Sequence, residues 1–536
     1  MMDRRMFLGR GTLAAAGLLT CGTLSRVVNA EGATASPVVP TTAGKVRGVS
    51  LNNVHVFKGV PYGDSTEGAR RFLPPVNPKP WTGVREAIEL GHRSPHGPST
   101  LIPEVAAMDR DEPVGEDCLV LNVWTPGLGG AGKRPVMVYL HGGGYITGSG
   151  GYIMYDGANL ARKHDVVLIT LNHRLNVFGY LYLAELGGEK YANTSNVGML
   201  DLVTALEWVR DNVSAFGGDP GNVTTFGQSG GAMKISALMA MPAAKGLFHR
   251  AIVESGSQVK GISSGDATKW TEQFLQGLGL KASQIDELQK LPAEQLVAAM
   301  GSGGGNPLLA LGPVVDGRTL PANPFDPTAP GLSASVPLLT GTVETEVTFF
   351  KNQELDAIGD ATLRARVKQI LRTSDAEADR LIAVYRKGRP GISNIDVELI
   401  LSSDVMFREG VLTQAERKAE QAKAPVYMYY FTWRSPVRDG KLKAFHTLEL
   451  PFIFDNVDLD EAMTGTARER YSLADKMSDA WVAFARSGNP NRKGLPNWPA
   501  FDNTRRATMI FNNECKVVND PNGEERVALR GVQAVT

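Results

Sequence analysis

Short apolar runs alternate with longer amphipathic stretches between about residue 40 and residue 515 of this chain. The runs RPVMVYL (134–140), DVVLITL (165–171), NVTTF (222–226), RAIVES (250–255), VPLLTG (336–341) and PVYMYYF (425–431) are rich in β-branched or aromatic residues and bounded by Gly, Pro, Asn or Asp. Unbroken apolar runs of this length predict strands buried on both faces, as in a parallel sheet. Between them, GMLDLVTALEWVRDNVSAFG (198–217) places Leu200, Val203, Leu206 and Val213 on one helical face, with Asn196 as a cap nearby. SLADKMSDAWVAFARSG (472–488) reads as a final helix stopped by Gly488 and Pro490. Two helix-rich blocks, about 265–300 and 354–422, read as insertions over the sheet, and GSGGGNP (301–307) as a flexible loop. This alternation predicts an α/β fold with one doubly wound, mostly parallel sheet, whose ligand crevice lies at the carboxyl ends of the strands.

Composition narrows the function. The 536 residues are 43% hydrophobic, enough for a large core, and Lys+Arg and Asp+Glu both total 56. Without a basic excess or stripe, nucleic acid is not expected as a partner. Arg4 and Arg5 precede Met6-Phe7-Leu8 and a short apolar segment diluted by Ala and Gly, with Val28-Asn29-Ala30 as a cleavage site. Residues 1–30 therefore resemble a bacterial twin-arginine export signal, leaving 31–536 as one mature, periplasmic or secreted domain. The apolar segment is too short for a membrane span, so no integral span is expected in the mature chain. A weaker alternative reads Cys21 in LLTC as a lipid anchor. Only Cys118 and Cys515 remain after cleavage, too few for a disulfide scaffold, and both are expected as free thiols.

The candidate chemistry centres on GQSGG (227–231), a G-x-S-x-G pattern whose small flanks permit a sharp strand-to-helix turn exposing the hydroxyl of Ser229. GISSG (261–265) matches equally well, but Ser263 lies in a polar loop, whereas Ser229 lies between the strand NVTTF and a helix-like run. A serine needs a histidine base, and in this topology the acid and then the histidine follow it along the chain. Six of eight histidines (55, 92, 96, 141, 164 and 173) precede Ser229, and His249 follows too closely for an acid-bearing strand to intervene. His446 remains, expected within one hydrogen bond of the serine oxygen. Glu344 and Glu346 both follow the strand at 336–341, and either would orient the imidazole. YLHGGGYITGS (139–149) supplies the glycine-rich turn that presents backbone N–H donors to an oxyanion.

Together these motifs resemble the type-B carboxylesterases, the cholinesterase-like branch of the α/β-hydrolase fold. The resemblance extends over FKGVPYG (57–63), RFLPP (71–75), GEDCLVLNVWTP (115–126), LNHRLNVFGYL (171–181), FGGDPGNVTTFGQSGGA (216–232), LFHRAIVESGS (247–257), GPVVDGRTLP (312–321), GTVETEVTFF (341–350), FHTLELPFIF (445–454) and AWVAFARSGNPN (480–491). It implies Ser229 as nucleophile, His446 as base and Glu346 as the acid, with Gly143, Gly144 and Gly230 donating to the oxyanion. It further implies buried ion pairs Arg71–Glu116 and Arg174–Asp201. The chain departs from the family at Gln228, where Glu is usual, at Gly230, where Ala is usual, and at Thr345 and Val347, which flank the acid in place of Asp and Gly. Lys443 and Thr447 stand where glycines are common, and Ser94 stands near the place of the cysteine expected to pair with Cys118.

The expected activity is hydrolysis of small-molecule carboxylic esters by water through an acyl-enzyme, without cofactor or metal. His92 and His96 lie in the Pro/Gly-rich GHRSPHGPS (91–99), which gives no helix on which to present a metal. Amide or lactone hydrolysis would use the same machinery, and some relatives of the fold are non-catalytic adhesion proteins. Arg434, Arg438, Lys441 and Lys443 raise the further expectation of a preference for anionic esters, against a solvated basic loop as the alternative.

Overall fold

A computed structural model describes residues 32–97, 102–129, 133–351 and 355–533. The export signal proposed at 1–30 and Cys21 lie outside the described residues. Among the described residues, twelve strands form the main sheet. In chain order they are β1 Thr34–Ala35, β2 Val49–Leu51, β3 Val54–Pro61, β4 Val120–Thr125, β5 Arg134–Leu140, β6 Val167–Leu171, β7 Gly218–Gln228, β8 Arg250–Glu254, β9 Leu338–Val343, β10 Val426–Phe431, β11 Ala507–Phe511 and β12 Lys516–Asn519. Their spatial order is β1-β2-β3-β4-β6-β5-β7-β8-β9-β10-β11-β12. β6, β5 and β7 through β11 are mutually parallel, while β1 to β4 and β12 add antiparallel margins.

The parallel strands follow the apolar runs closely because both of their faces are covered. In β5, Val136, Val138 and Leu140 enter one core cluster, while Met137 and Tyr139 enter the other. The pleat sends alternate residues to opposite faces, so a strand buried on both sides needs apolar residues at every position. The antiparallel strands β1 to β3 go unread in the sequence pattern because they are short or only part-buried.

Helices cover both faces. α1 (Val197–Asn212) is buried at Met199, Leu202, Ala205, Leu206, Trp208 and Val209, so it is enclosed more widely than the single predicted face, and Leu200 is only half-buried. Asn196 sits at its N-cap position but does not cap it: its side chain bonds the backbone of Val314 instead. α2 (Gly230–Leu238) follows β7 directly. α3 (Ser264–Gly277) opens the first insertion. α4 (Asp360–Leu371), α5 (Asp375–Lys387), α6 (Asn394–Ser403) and α7 (Glu409–Glu420) make the second, with a π-helical turn, Asp404–Arg408, joining α6 to α7. α8 (Glu469–Ser487) ends at Gly488 in a left-handed conformation, as its sequence predicts, and α9 (Gly523–Gln533) packs against α5. Among the described residues no helix is long and apolar enough to cross a membrane.

Both expected ion pairs are present. Arg71 grips Glu116 through two nitrogens, and Arg174, almost fully buried, donates to Asp201 through Nε at 2.9 Å and Nη2 at 2.6 Å. Cys118 and Cys515 are free thiols, with Cys118 buried and its pKa pushed up by burial. Ser94 is buried and accepts a hydrogen bond from the Leu175 amide at 3.2 Å.

The site falls where the strand order reverses. From β5 the chain steps outward to β6, then returns to β7 on the other side of β5 and continues away. Loops leaving β5 and β7 therefore diverge, opening the crevice that such folds use for ligands. Gly227 of β7 pairs with Leu140 of β5, which brings the residues after each strand alongside one another.

Candidate active site

Ser229 occupies the turn between β7 and α2 with φ 57° and ψ −122°, a conformation that costs a non-glycine residue energy and persists only when its surroundings impose it. Its amide donates to the Glu254 carbonyl of β8 at 2.9 Å, and its own carbonyl accepts from Met233 at 3.0 Å. The turn therefore holds the hydroxyl out of the helix, and Ser229 is partly exposed. Ser263, by contrast, caps α3: its hydroxyl accepts from the Asp266 amide at 3.1 Å and donates to the Asp266 carboxylate at 2.6 Å.

The glycine turn after β5 lies against the start of α2. Gly143 and Gly144 have φ 88° and 61°, in the left-handed region that glycine tolerates. A Cβ on Gly230 would overlap the Gly144 backbone, so the alanine usual in the family would not fit this close approach. Among the described residues the backbone N–H groups of Gly143, Gly144 and Gly230 donate to no other group. Three free donors thus gather beside the serine.

His446 is buried in the loop between β10 and α8, and its Nδ1–H donates to Glu346 Oε2 at 2.5 Å. Glu346 follows β9 and is fully buried, its Oε1 accepting from the Val343 amide at 2.9 Å. Glu344, the other carboxylate the sequence offered, turns instead to Arg434 at 2.9 Å. Thr345 preserves the loop without the family's Asp: its amide and hydroxyl both donate to the Ala444 carbonyl, at 3.0 and 2.9 Å, tying the acid's loop to the histidine's. Lys443 (φ 55°) and Thr447 (φ 80°) both adopt left-handed conformations, which accounts for glycine being common there.

The Gln228 amide nitrogen lies 3.2 Å from His446 Nδ1 and 3.1 Å from Nε2. A group nearly equidistant from both nitrogens and this close cannot lie in the ring plane without overlapping the carbon between them, so it sits over the ring face. The in-plane lone pair of Nε2 stays available. Among the described residues no hydrogen bond links the Ser229 hydroxyl to the imidazole, unlike the sequence expectation; such bonds often tighten only once substrate is bound. Phe349, Phe350 and Phe407 surround the ring, with centroids 5.4, 6.0 and 4.8 Å away. Phe407 comes from the π-helical turn, an irregularity common at functional sites.

The basic residues near His446 are all partnered: Arg434 with Glu344, Arg438 with Glu104, Lys441 with Asp356 and Lys443 with Asp396. Each carboxylate offsets the charge that an anionic ester would need, so the preference for anionic substrates loses its basis. No group of three or more His, Cys, Asp or Glu side chains suited to a metal occurs among the described residues, and His96 turns its Nδ1 to the neighbouring Gly97 carbonyl at 2.7 Å.

Three features went unread in the sequence. Glu254 and Glu449 are fully buried behind the histidine and its acid, and Lys234 is fully buried in α2. Burial and the charges of Glu346 and Glu254 push the Glu449 carboxyl well above its ordinary range, while Ser255 donates to it at 3.0 Å. Glu254 accepts from the Trp481 indole N–H at 2.5 Å, but burial prevails and raises its pKa to about 8. The folded protein therefore keeps this proton up to about pH 8, whereas the unfolded chain releases it near the ordinary value of about 4.3. Stability contributed by the neutral acid is thus lost progressively as pH rises across that window. Glu254→Gln keeps an acceptor for Trp481 and removes the ionisation. Urea unfolding from pH 5 to pH 8.5 is expected to show the variant gaining on the wild type as pH rises, by a few kcal/mol at the upper end (~1.4 kcal/mol per unit of pKa difference).

The carboxylesterase family model matches residues 35–529. The para-nitrobenzyl esterase of Bacillus subtilis is 37% identical over 92% of this chain and 98% of its own. The phenmedipham hydrolase of Pseudarthrobacter oxydans is 34% identical over 92% and 99%. Among solved structures, a thermophilic para-nitrobenzyl esterase superposes with a TM-score of 0.80 at 37% identity, covering 92% of this chain and 99% of that one. A Geobacillus stearothermophilus carboxylesterase gives 0.79 at 38%, covering 92% and 100%. The fold is that of the α/β hydrolases, with the crevice at the carboxyl edge of a mostly parallel sheet. The chain belongs to the carboxylesterase family and is a carboxylic ester hydrolase.

Proposed function

We propose that Ser229, His446 and Glu346 are the catalytic triad, and that the N–H groups of Gly143, Gly144 and Gly230 form the oxyanion hole. The observation that carries this reading is the 2.5 Å bond from His446 to the buried Glu346, beside a serine held in a strained turn against three free donors. Ser229 Oγ attacks the ester carbonyl as His446 Nε2 takes its proton. Glu346 fixes the ring so that Nε2 is the basic nitrogen and stabilises the imidazolium that forms. The three N–H groups stabilise the tetrahedral oxyanion. The C–O bond to the alcohol then breaks, the alcohol leaving with the proton from His446. Water, deprotonated by the same imidazole, releases the acid and restores the serine.

The substrates we propose are small neutral esters with an apolar or aromatic group. Support comes from the half-exposed Phe350 and the adjoining Phe407 on the histidine side, and from Leu308, which lies over Gly144. The para-nitrobenzyl esterase relative points the same way. Export by the twin-arginine route to the periplasm is proposed from Arg4, Arg5 and the apolar segment that follows. Steady-state rates on a para-nitrobenzyl ester and its matched amide test the reading. The ester is expected to turn over far faster; a comparable or faster amide rate would assign the site to amide hydrolysis, and no turnover or covalent labelling of the folded protein would leave a binding role.

A further inference from the structure

Lys234 is fully buried in α2, five residues beyond Ser229, in a helix otherwise built from apolar and small residues. Its ammonium donates to the His141 carbonyl at 3.1 Å and lies 5.9 Å from the centre of the Tyr145 ring. His141 and Tyr145 bracket the turn Gly142-Gly143-Gly144. Tyr145 is anchored at its far end, where its hydroxyl donates to Gln258 at 2.8 Å. His141 also braces the turn directly, its Nδ1 donating to the Gly142 carbonyl at 2.8 Å.

No carboxylate pairs with Lys234 among the described residues. The titratable groups facing it are Tyr145, His141 and His173, the two histidines both held neutral by burial and by the lysine's own charge. Burial alone pulls the ammonium down to about 7. An unpaired buried cation is a poor way to stabilise a fold, because an apolar side chain of similar size would fill the space without the desolvation cost. Three successive glycines, however, have little conformational preference of their own and need an external brace to keep their N–H groups aimed at one point.

We propose that Lys234 is a positioning residue of the oxyanion hole: from the helix that begins at the nucleophile, it holds the His141 carbonyl at one end of the glycine turn, lies beside the Tyr145 ring at the other, and in its protonated form sets a positive charge behind the donors. That charge favours the developing oxyanion over the neutral ester, so its effect belongs to the transition state. The inference rests on the oxyanion reading above.

Lys234→Met tests it. The variant is expected to lose about tenfold or more in kcat, less than the loss of a direct donor, with KM little changed. Affinity for a trifluoromethyl ketone, which forms a tetrahedral adduct with the serine, is expected to fall in proportion to kcat. The thermal midpoint is expected to stay or rise. Lys234→Gln, which keeps a donor but no charge, is expected to fall between the two. Unchanged kcat, a loss confined to KM, or a variant that unfolds at lower temperature would overturn the proposal. Failure of the oxyanion reading itself would look different: the wild type would not bind the ketone at all.

Discussion

Ser229→Ala is expected to abolish ester turnover, lowering kcat by roughly 10⁴- to 10⁶-fold while leaving the folded protein intact. The size of the effect follows from what remains. Without the hydroxyl no acyl-enzyme forms, and the residual rate reflects binding and oxyanion donors acting on water. The fold is expected to survive, because Ser229 is held by its backbone: the amide bonds Glu254 and the carbonyl bonds Met233, and neither contact involves the side chain. Alanine in a left-handed conformation is strained much as serine is, so stability is expected to change little. Steady-state kinetics with a chromogenic ester, together with circular dichroism of the variant, check both halves of this result.

The largest stability effect is expected at Asp201. Its carboxylate accepts from Arg174 Nε, Arg174 Nη2 and the Arg174 amide, and both side chains are almost completely buried. Asp201→Ala leaves the guanidinium buried with, among the described residues, only the Leu73 carbonyl as acceptor, at an expected cost of about 3–5 kcal/mol. The double variant Arg174→Met/Asp201→Leu removes both charges, and much of the loss is expected to return, because the pair itself contributes little beyond an apolar replacement. Denaturant midpoints of the single and double variants measure the two effects. A single variant as stable as the wild type would show that water reaches the arginine.

How much of this could be read from sequence depended on whether a residue's surroundings leave a mark along the chain. Six of the seven parallel strands did, since burial on both faces demands an unbroken apolar run, and five of the six runs match β5, β6, β8, β9 and β10 within two residues at both ends; β11, equally buried, went unread. β1 and β2 did not, being two and three residues long. His446 was reachable by elimination, because chain order restricts where a base can stand. Residue pattern alone left Glu344 and Glu346 open, and only the family resemblance pointed to Glu346: the two lie in one irregular loop, and the fold turns one to Arg434 and the other to the imidazole. Lys234 leaves a trace in the sequence, a lone charge in AMKISALMAM (232–241), but the turn it braces lies about ninety residues earlier. Glu254 and Glu449 left none, since a glutamate at a strand end or in a loop is usually solvated.

Catalysis turns on one oxygen atom becoming the nucleophile. Treating the full-length protein with a fluorophosphonate and mapping the adduct by peptide mass spectrometry asks this directly. A single phosphonylated residue, Ser229, is expected, with labelling slowed in Glu346→Gln and absent in Ser229→Ala. A folded, untreated-like spectrum with no adduct, or an adduct on Ser263 instead, would contradict this assignment.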